Sequence, residues 1–301
     1  MPLTFLAVFL EFPRTPTAMC AAGLALFFTA LVAAKTDIAS ARGLEKIVAL
    51  VNLCFAIPLA VFGALHLFAP QSLLPLVPRY MPARMFIVYF VGFALIAAAL
   101  SIATKVAVRW SGLLFGIMMF SFVSMLMLPG ALRQPGRIIW TIVFRESSFG
   151  AGGLLLAAMA KDGWSEKTKS ALIIIGRILV AATTIVFGVE HFLHPLGLPG
   201  VPLEKEMPAW VPLRPLIDYV TGAALLAVSG SIILNRKTRT VAACVGGWIL
   251  LTLLVIYIPV MIGALYNPVI DVKIEGINYF ADTLLFVGVI LALANASPQS
   301  D

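Results

Sequence analysis

Charge is what this chain has least of. Asp, Glu, Lys and Arg make up 12% of the 301 residues, against 61% hydrophobic; a soluble domain carries about 25% charged residues. That balance excludes an ordinary water-soluble globular protein. Cysteine is also scarce: Cys20, Cys54 and Cys244 fall in three separate apolar runs and form no C-x-x-C, so a dithiol relay built on a close pair has no candidate. They read as small buried apolar residues. There are three histidines, and no metal-ligand set is visible; His191 and His194 at i, i+3 are a spacing common by chance. Nothing resembles a hydrolase, kinase or nucleotide site. Gly150-Ala151-Gly152-Gly153 lies inside an apolar run, where small residues serve close helix packing rather than phosphate binding. The net charge of +7 is spread over connecting segments, where positive charge sets membrane orientation, so no nucleic-acid partner is implied.

Long apolar runs are what the chain has in abundance. Nine of them, each near 20 residues, are long enough to cross a bilayer: Thr17–Ala34, Ile47–Phe68, Met85–Thr104, Val108–Leu128, Ile138–Ala160, Ser170–Phe192, Leu216–Leu234, Thr240–Gly263 and Ile277–Ala294. Backbone groups in lipid must be satisfied within their own segment, so each run is expected to be a helix. Met1 to Leu10 is apolar, too short to span, and lacks a basic start; it is expected to lie at the interface rather than to be a cleaved signal. Placing the carboxyl end in the cytoplasm puts eleven Lys and Arg there against eight outside, a weak preference for that orientation. The expected class is an all-α polytopic membrane protein in a plasma membrane of bacterial type.

The chain also repeats itself. Phe62-Gly63-Ala64-Leu65-His66 with Pro70 returns as Phe187-Gly188-Val189-Glu190-His191 with Pro195, a shared F-G-x-x-H-x-x-x-P. Met81-Pro82-Ala83 matches Met207-Pro208-Ala209, Tyr89 and Gly92 match Tyr219 and Gly222, and Phe144 and Glu146 match Phe280 and Asp282. The order implies two parallel four-helix repeats, related by an axis along the membrane normal, plus one N-terminal helix. The expected units are 1–45, 46–162 and 163–301. Proline-rich loops follow both histidines and are expected to cap the outer face.

The segment F-G-x-E-H-F at a helix end, then M-P-A-W-x-P, then a helix opening Y-x-x-G, resembles the DoxX-like membrane proteins. Phe187 to Lys237 carries the closer match, and Ile47 to about Ala160 a more divergent one. The family's single members have four helices, so the resemblance implies a fused pair with an extra helix. The family is named after the small membrane subunit of a thiosulfate:quinone oxidoreductase. The resemblance therefore implies a quinone as the cofactor to look for and a separate chain as redox partner.

Ionisable groups inside spans are costly and point to function. Here they are Arg145, Glu146, Arg177, Glu190, His191, Asp218 and Asp282, with His66 in the first copy. Arg177, Thr184 and His191 are seven apart and share one helix face. Glu190, His191, Asp218 and Asp282 are expected near the same end of their spans, forming a polar pocket near the outer face of the second repeat, with His191 and Asp218 for quinone oxygens, Glu190 and Asp282 for protons and Arg177 as counter-charge. His66, Arg177, His191 and Tyr219 are the candidates to contact a cofactor. Asp218 corresponds to Val88 and Glu190 to Leu65, so the second copy is expected to be the working one. A haem held between His66 and His191 is disfavoured, because b-type bundles place ligands deeper and pair histidines within a domain.

Three functions compete. One is a quinone-linked redox or accessory membrane subunit, for which lost quinone binding in His191→Ala is the expected result. Another is a transporter or binder of a small amphipathic molecule or lipid. The last is a purely structural subunit of a membrane complex.

Overall fold

The structure, a computed structural model, describes residues 13–161 and 163–298. The expectation for Met1 to Leu10 lies outside the described residues. Among these, nine helices are long and apolar enough to cross a membrane. They are α1 (Arg14–Ser40), α2 (Glu45–Phe68), α3 (Arg84–Thr104), α4 (Val108–Arg133), α5 (Arg137–Met159), α6 (Glu166–Leu193), α7 (Arg214–Leu234), α8 (Thr238–Leu265) and α9 (Ile270–Asn295). No strand occurs among the described residues. The chain is an all-α polytopic membrane protein.

The helix bounds follow from local chemistry. The Ser165 hydroxyl accepts from the Thr168 N–H at 3.2 Å and starts α6 four residues before the apolar run does, as an N-cap does. α9 starts at Ile270, seven residues before its expected start, because Asp271, Lys273 and Glu275 occupy helical turns ahead of the apolar stretch. α4 and α8 each carry a five-residue π-turn, Val123–Met127 and Leu253–Tyr257. Pro129 and Pro259 follow these turns. Proline offers no N–H and crowds the carbonyl four residues back, and a widened turn relieves both faults.

The same backbone exceptions recur in both halves. Among the described residues, six non-glycine residues have positive φ: Ala83, Lys105 and Ala107, and then Leu213, Asn235 and Lys237. Each member of the second trio stands at the position of the first plus 130. Ala83 and Leu213 precede α3 and α7. The other four turn α3 into α4 and α7 into α8, where Val106 N–H reaches Ser101 O and Arg236 N–H reaches Ser231 O, both at 3.0 Å. These are Schellman-type closures, ordinarily made with glycine.

α2 packs on α3 and α4 on α5; likewise α6 packs on α7 and α8 on α9. The halves interlock through their last helices: α5 lies against α6, α9 against α2, and α5 and α9 touch each other. α9 is the most enclosed helix of all, and α1 lies on the outside of α2 and α3. Phe187 and Phe286 meet with ring centroids 5.3 Å apart in a core that runs through both halves. The helix crossings are set by small residues. A Cβ on Gly153 would come within 2.7 Å of Gly112 O, so α4 and α5 touch backbone to backbone. Gly150-Ala151-Gly152-Gly153 is thus a packing surface. The repeated motif is explained the same way: Cβ atoms on Gly63 and Gly188 would each stand 3.0 Å from the carbonyls of Gly92 and Gly222.

Candidate functional site

Both motif histidines sit in the last turns of their helices and make the same local bond. His66 Nδ1 donates to Phe62 O at 2.8 Å, and His191 Nδ1 donates to Phe187 O at 2.7 Å. A carbonyl only accepts, so the ring proton sits on Nδ1 and Nε2 is left as an acceptor. From there the halves part.

In the second half, His191 Nε2 accepts from the Gly200 N–H at 2.9 Å. The donor belongs to the loop after α6, which is pinned to itself by Met207 N–H to Leu196 O and Leu198 N–H to Lys205 O. The tip of that loop enters the helix bundle. Tyr257 donates its hydroxyl to Pro199 O at 2.9 Å, and Leu198, Val201, Met207 and Val211 are all buried. Gly200 takes φ +110, and a Cβ there would press on Ile249 at 3.2 Å and Thr283 at 3.4 Å. Asp218 is fully buried, with Oδ1 3.8 Å from His191 Nε2 and the Gly197 backbone alongside.

In the first half the loop is shorter: Arg84 follows His66 by 18 residues, whereas Arg214 follows His191 by 23. It forms a short helix, Pro70–Leu73, and a tight turn, Leu74–Leu76, neither with a buried residue. Beneath it lies a cavity of about 450 Å³. Its walls are mainly apolar, with Phe62, Val91, Phe115, Met119, Leu126 and Phe149 among them, and its polar lining includes His66, Arg145, Glu146, Asn278 and Asp282. Arg145 joins the last of these: Nη1 donates to Asp282 at 2.7 Å and Nη2 to Glu146 at 2.7 Å. Glu146 and Asp282 occupy matched places in the two halves and meet at one guanidinium where α5 and α9 pack. The position matching Arg145 in the second half is Ala281. One cation therefore faces two carboxylates, and an apolar surrounding does not hold the surplus charge unpaired. Asn278 Oδ1 is buried without a hydrogen-bond partner, which in a polar-ended cavity calls for water or a ligand.

The expected site residues are thus divided. His191 and Asp218 come together. Glu190 turns away from them to Arg137 at 3.1 Å and His194 at 3.7 Å. Asp282 lies twelve residues into α9, roughly 18 Å along the axis, and belongs with Arg145 and Glu146 on the cavity beside His66. Arg177 is on the face of His191 but fourteen residues away, roughly 21 Å along α6; it bonds Asn235 Oδ1 at 2.8 Å at the far end of α7. Tyr219 stacks on Phe192, centroids 5.7 Å apart, and is exposed. A shared iron between His66 and His191 has no support in this geometry, since His191 gives its remaining lone pair to Gly200. Asn278 was not singled out from the sequence. Its signal was present: an amide among apolar residues, one turn before Asp282 on α9.

No family model matches the chain, and neither a curated protein nor a solved structure shows significant similarity to it.

Proposed function

We infer that this membrane protein binds a lipid-soluble molecule with an apolar body and a hydrogen-bonding head, of the quinone class, in the cavity of its first half. The observation that carries this is the cavity itself: about 450 Å³, apolar along most of its wall, with Arg145, Glu146, Asp282, Asn278 and His66 in its polar lining. The volume suits a small-molecule site. Arg145 and the Asn278 amide offer donors; Glu146, Asp282, Asn278 Oδ1 and His66 Nε2 offer acceptors. A quinone needs donors at its oxygens, a quinol needs acceptors, and this lining has both.

The resemblance of Phe187 to Lys237 to the DoxX-like proteins favours a quinone among amphipathic molecules. On that reading the chain is a fused pair of four-helix modules in a bacterial plasma membrane. It holds the quinone while a partner subunit exchanges electrons with it. Glu146 and Asp282 take or give the protons that accompany the electrons.

The test is a calorimetric titration of the purified protein in mild detergent with a short-tailed quinone. Saturable binding at one site per chain is expected. Val91→Phe, which fills the cavity from α3, is expected to weaken it at least tenfold while the protein stays folded. Unchanged binding in Val91→Phe, or none in the wild type, overturns the proposal.

A further inference from the structure

A second, smaller cavity of about 290 Å³ opens beside the first. The two share Leu65, Leu73, Asn278 and Asp282 in their walls. The smaller one is lined along α9 by Asp271, Glu275, Asn278, Tyr279 and Asp282, with Ser72 opposite. Steps of three and four residues put these side chains on one helical face. The row begins at the exposed start of α9 and ends at the Arg145 cluster, eleven residues and roughly 16 Å further in.

We propose that this smaller cavity is a water-filled vestibule that lets protons reach Asp282, and through it the polar lining of the larger cavity. Three observations support it. The two cavities share Asn278 and Asp282 in their walls, so polar side chains run from the exposed start of α9 to the ion cluster. Asn278 Oδ1 sits at that junction buried and unpartnered, a place that water fills. The ionisable side chains are mostly acidic: Asp271, Glu275 and Asp282 line the vestibule, with Glu204 beside Tyr279. Lys205 stands at the rim, 3.8 Å from Glu275 and with Nζ 5.5 Å from the Tyr279 ring centre. At the inner end Arg145 and Glu146 face Asp282 from α5. Such a lining draws cations and repels anions. A lipid-soluble ligand that changes its proton count needs an aqueous proton source that does not open its own apolar compartment to water, and the vestibule meets that need. The role in proton supply rests on the reading of the larger cavity as a quinone site; the vestibule's access and charge preference do not.

The test uses the full chain in proteoliposomes with Cys20, Cys54 and Cys244 replaced by Ala. Asn278→Cys is placed at the junction, with Ser72→Cys at the mouth as a control and Ile274→Cys on the wall should Asn278→Cys not fold. Modification is followed with two methanethiosulfonates of similar size, one cationic and one anionic. The expected result is reaction at the junction. The cationic reagent should be favoured at least fivefold beyond its ratio with a free thiol, and Asp271→Asn with Glu275→Gln should abolish that preference. Silence at the junction while Ser72→Cys reacts, or equal rates for the two reagents, overturns the vestibule. Quinone titration of the Asp271→Asn, Glu275→Gln protein is expected to match the wild type. If the wild type binds no quinone but the thiol reacts as described, the binding reading fails and the vestibule stands.

Discussion

The two halves of this molecule share a frame and differ in what fills it. Each has a glycine crossing under its histidine, an Nδ1–H bond from that histidine to the carbonyl four residues back, three left-handed residues at matched places and a π-turn in the following hairpin. In the second half, five extra loop residues carry Pro199-Gly200-Val201 into the bundle, where Tyr257 stands in the place of Met127 and binds the loop. In the first half the shorter loop stays above, and about 450 Å³ remains beside His66. Common features such as the histidine bond therefore belong to the frame. Function has to be sought in what differs: the vacant space and the charges around it.

Four experiments probe the difference between the halves. The largest effect is expected for Arg145→Met, which leaves Glu146 and Asp282 buried without their cation. Breaking a buried pair costs about 3–5 kcal/mol, to be read as a large loss of melting temperature in detergent. Adding Glu146→Gln and Asp282→Asn should restore most of it. Next is Tyr257→Ala, which removes a buried ring and the anchor of the loop, at a cost of about 3–5 kcal/mol; proteolytic cleavage within 196–207 should then appear. Third is the histidine pair. His191→Ala frees the Gly200 N–H and should lower stability by about 1–3 kcal/mol while leaving quinone affinity within twofold. His66→Ala should do the reverse, with a small change in melting and an affinity loss of about fivefold, the worth of one hydrogen bond. The smallest is Glu275→Gln at the vestibule rim. An exposed pair at 3.8 Å contributes about 0.5 kcal/mol or less, so melting and quinone affinity should both stay at wild-type values.

Most of the fold was legible in sequence, because lipid demands apolar length and each of the nine long apolar runs is a helix. The errors were at ends where polar residues continue the helix into water, as with Glu166 in α6 and Asp271 in α9. Less of the site was legible. The approach of His191 to Asp218 could be read, since both lie near the same ends of adjacent helices. Arg177 shows the limit of periodicity: a shared face does not mean a shared depth. The meeting of Asp282 with Arg145 depends on α5 and α9 packing across the two halves, which no spacing within either half reveals. The filled pocket of the second half was likewise hidden, because a five-residue length difference in a proline-rich loop does not show whether the loop lies above the helices or between them.

Where the quinone binds is decided by one calorimetric experiment: titration of a short-tailed quinone into the wild type, Val91→Phe and His191→Ala, each purified in the same detergent. One site per chain is expected in the wild type, lost in Val91→Phe and retained in His191→Ala. Binding that survives Val91→Phe and disappears in His191→Ala would contradict that expectation and move the site to the second half.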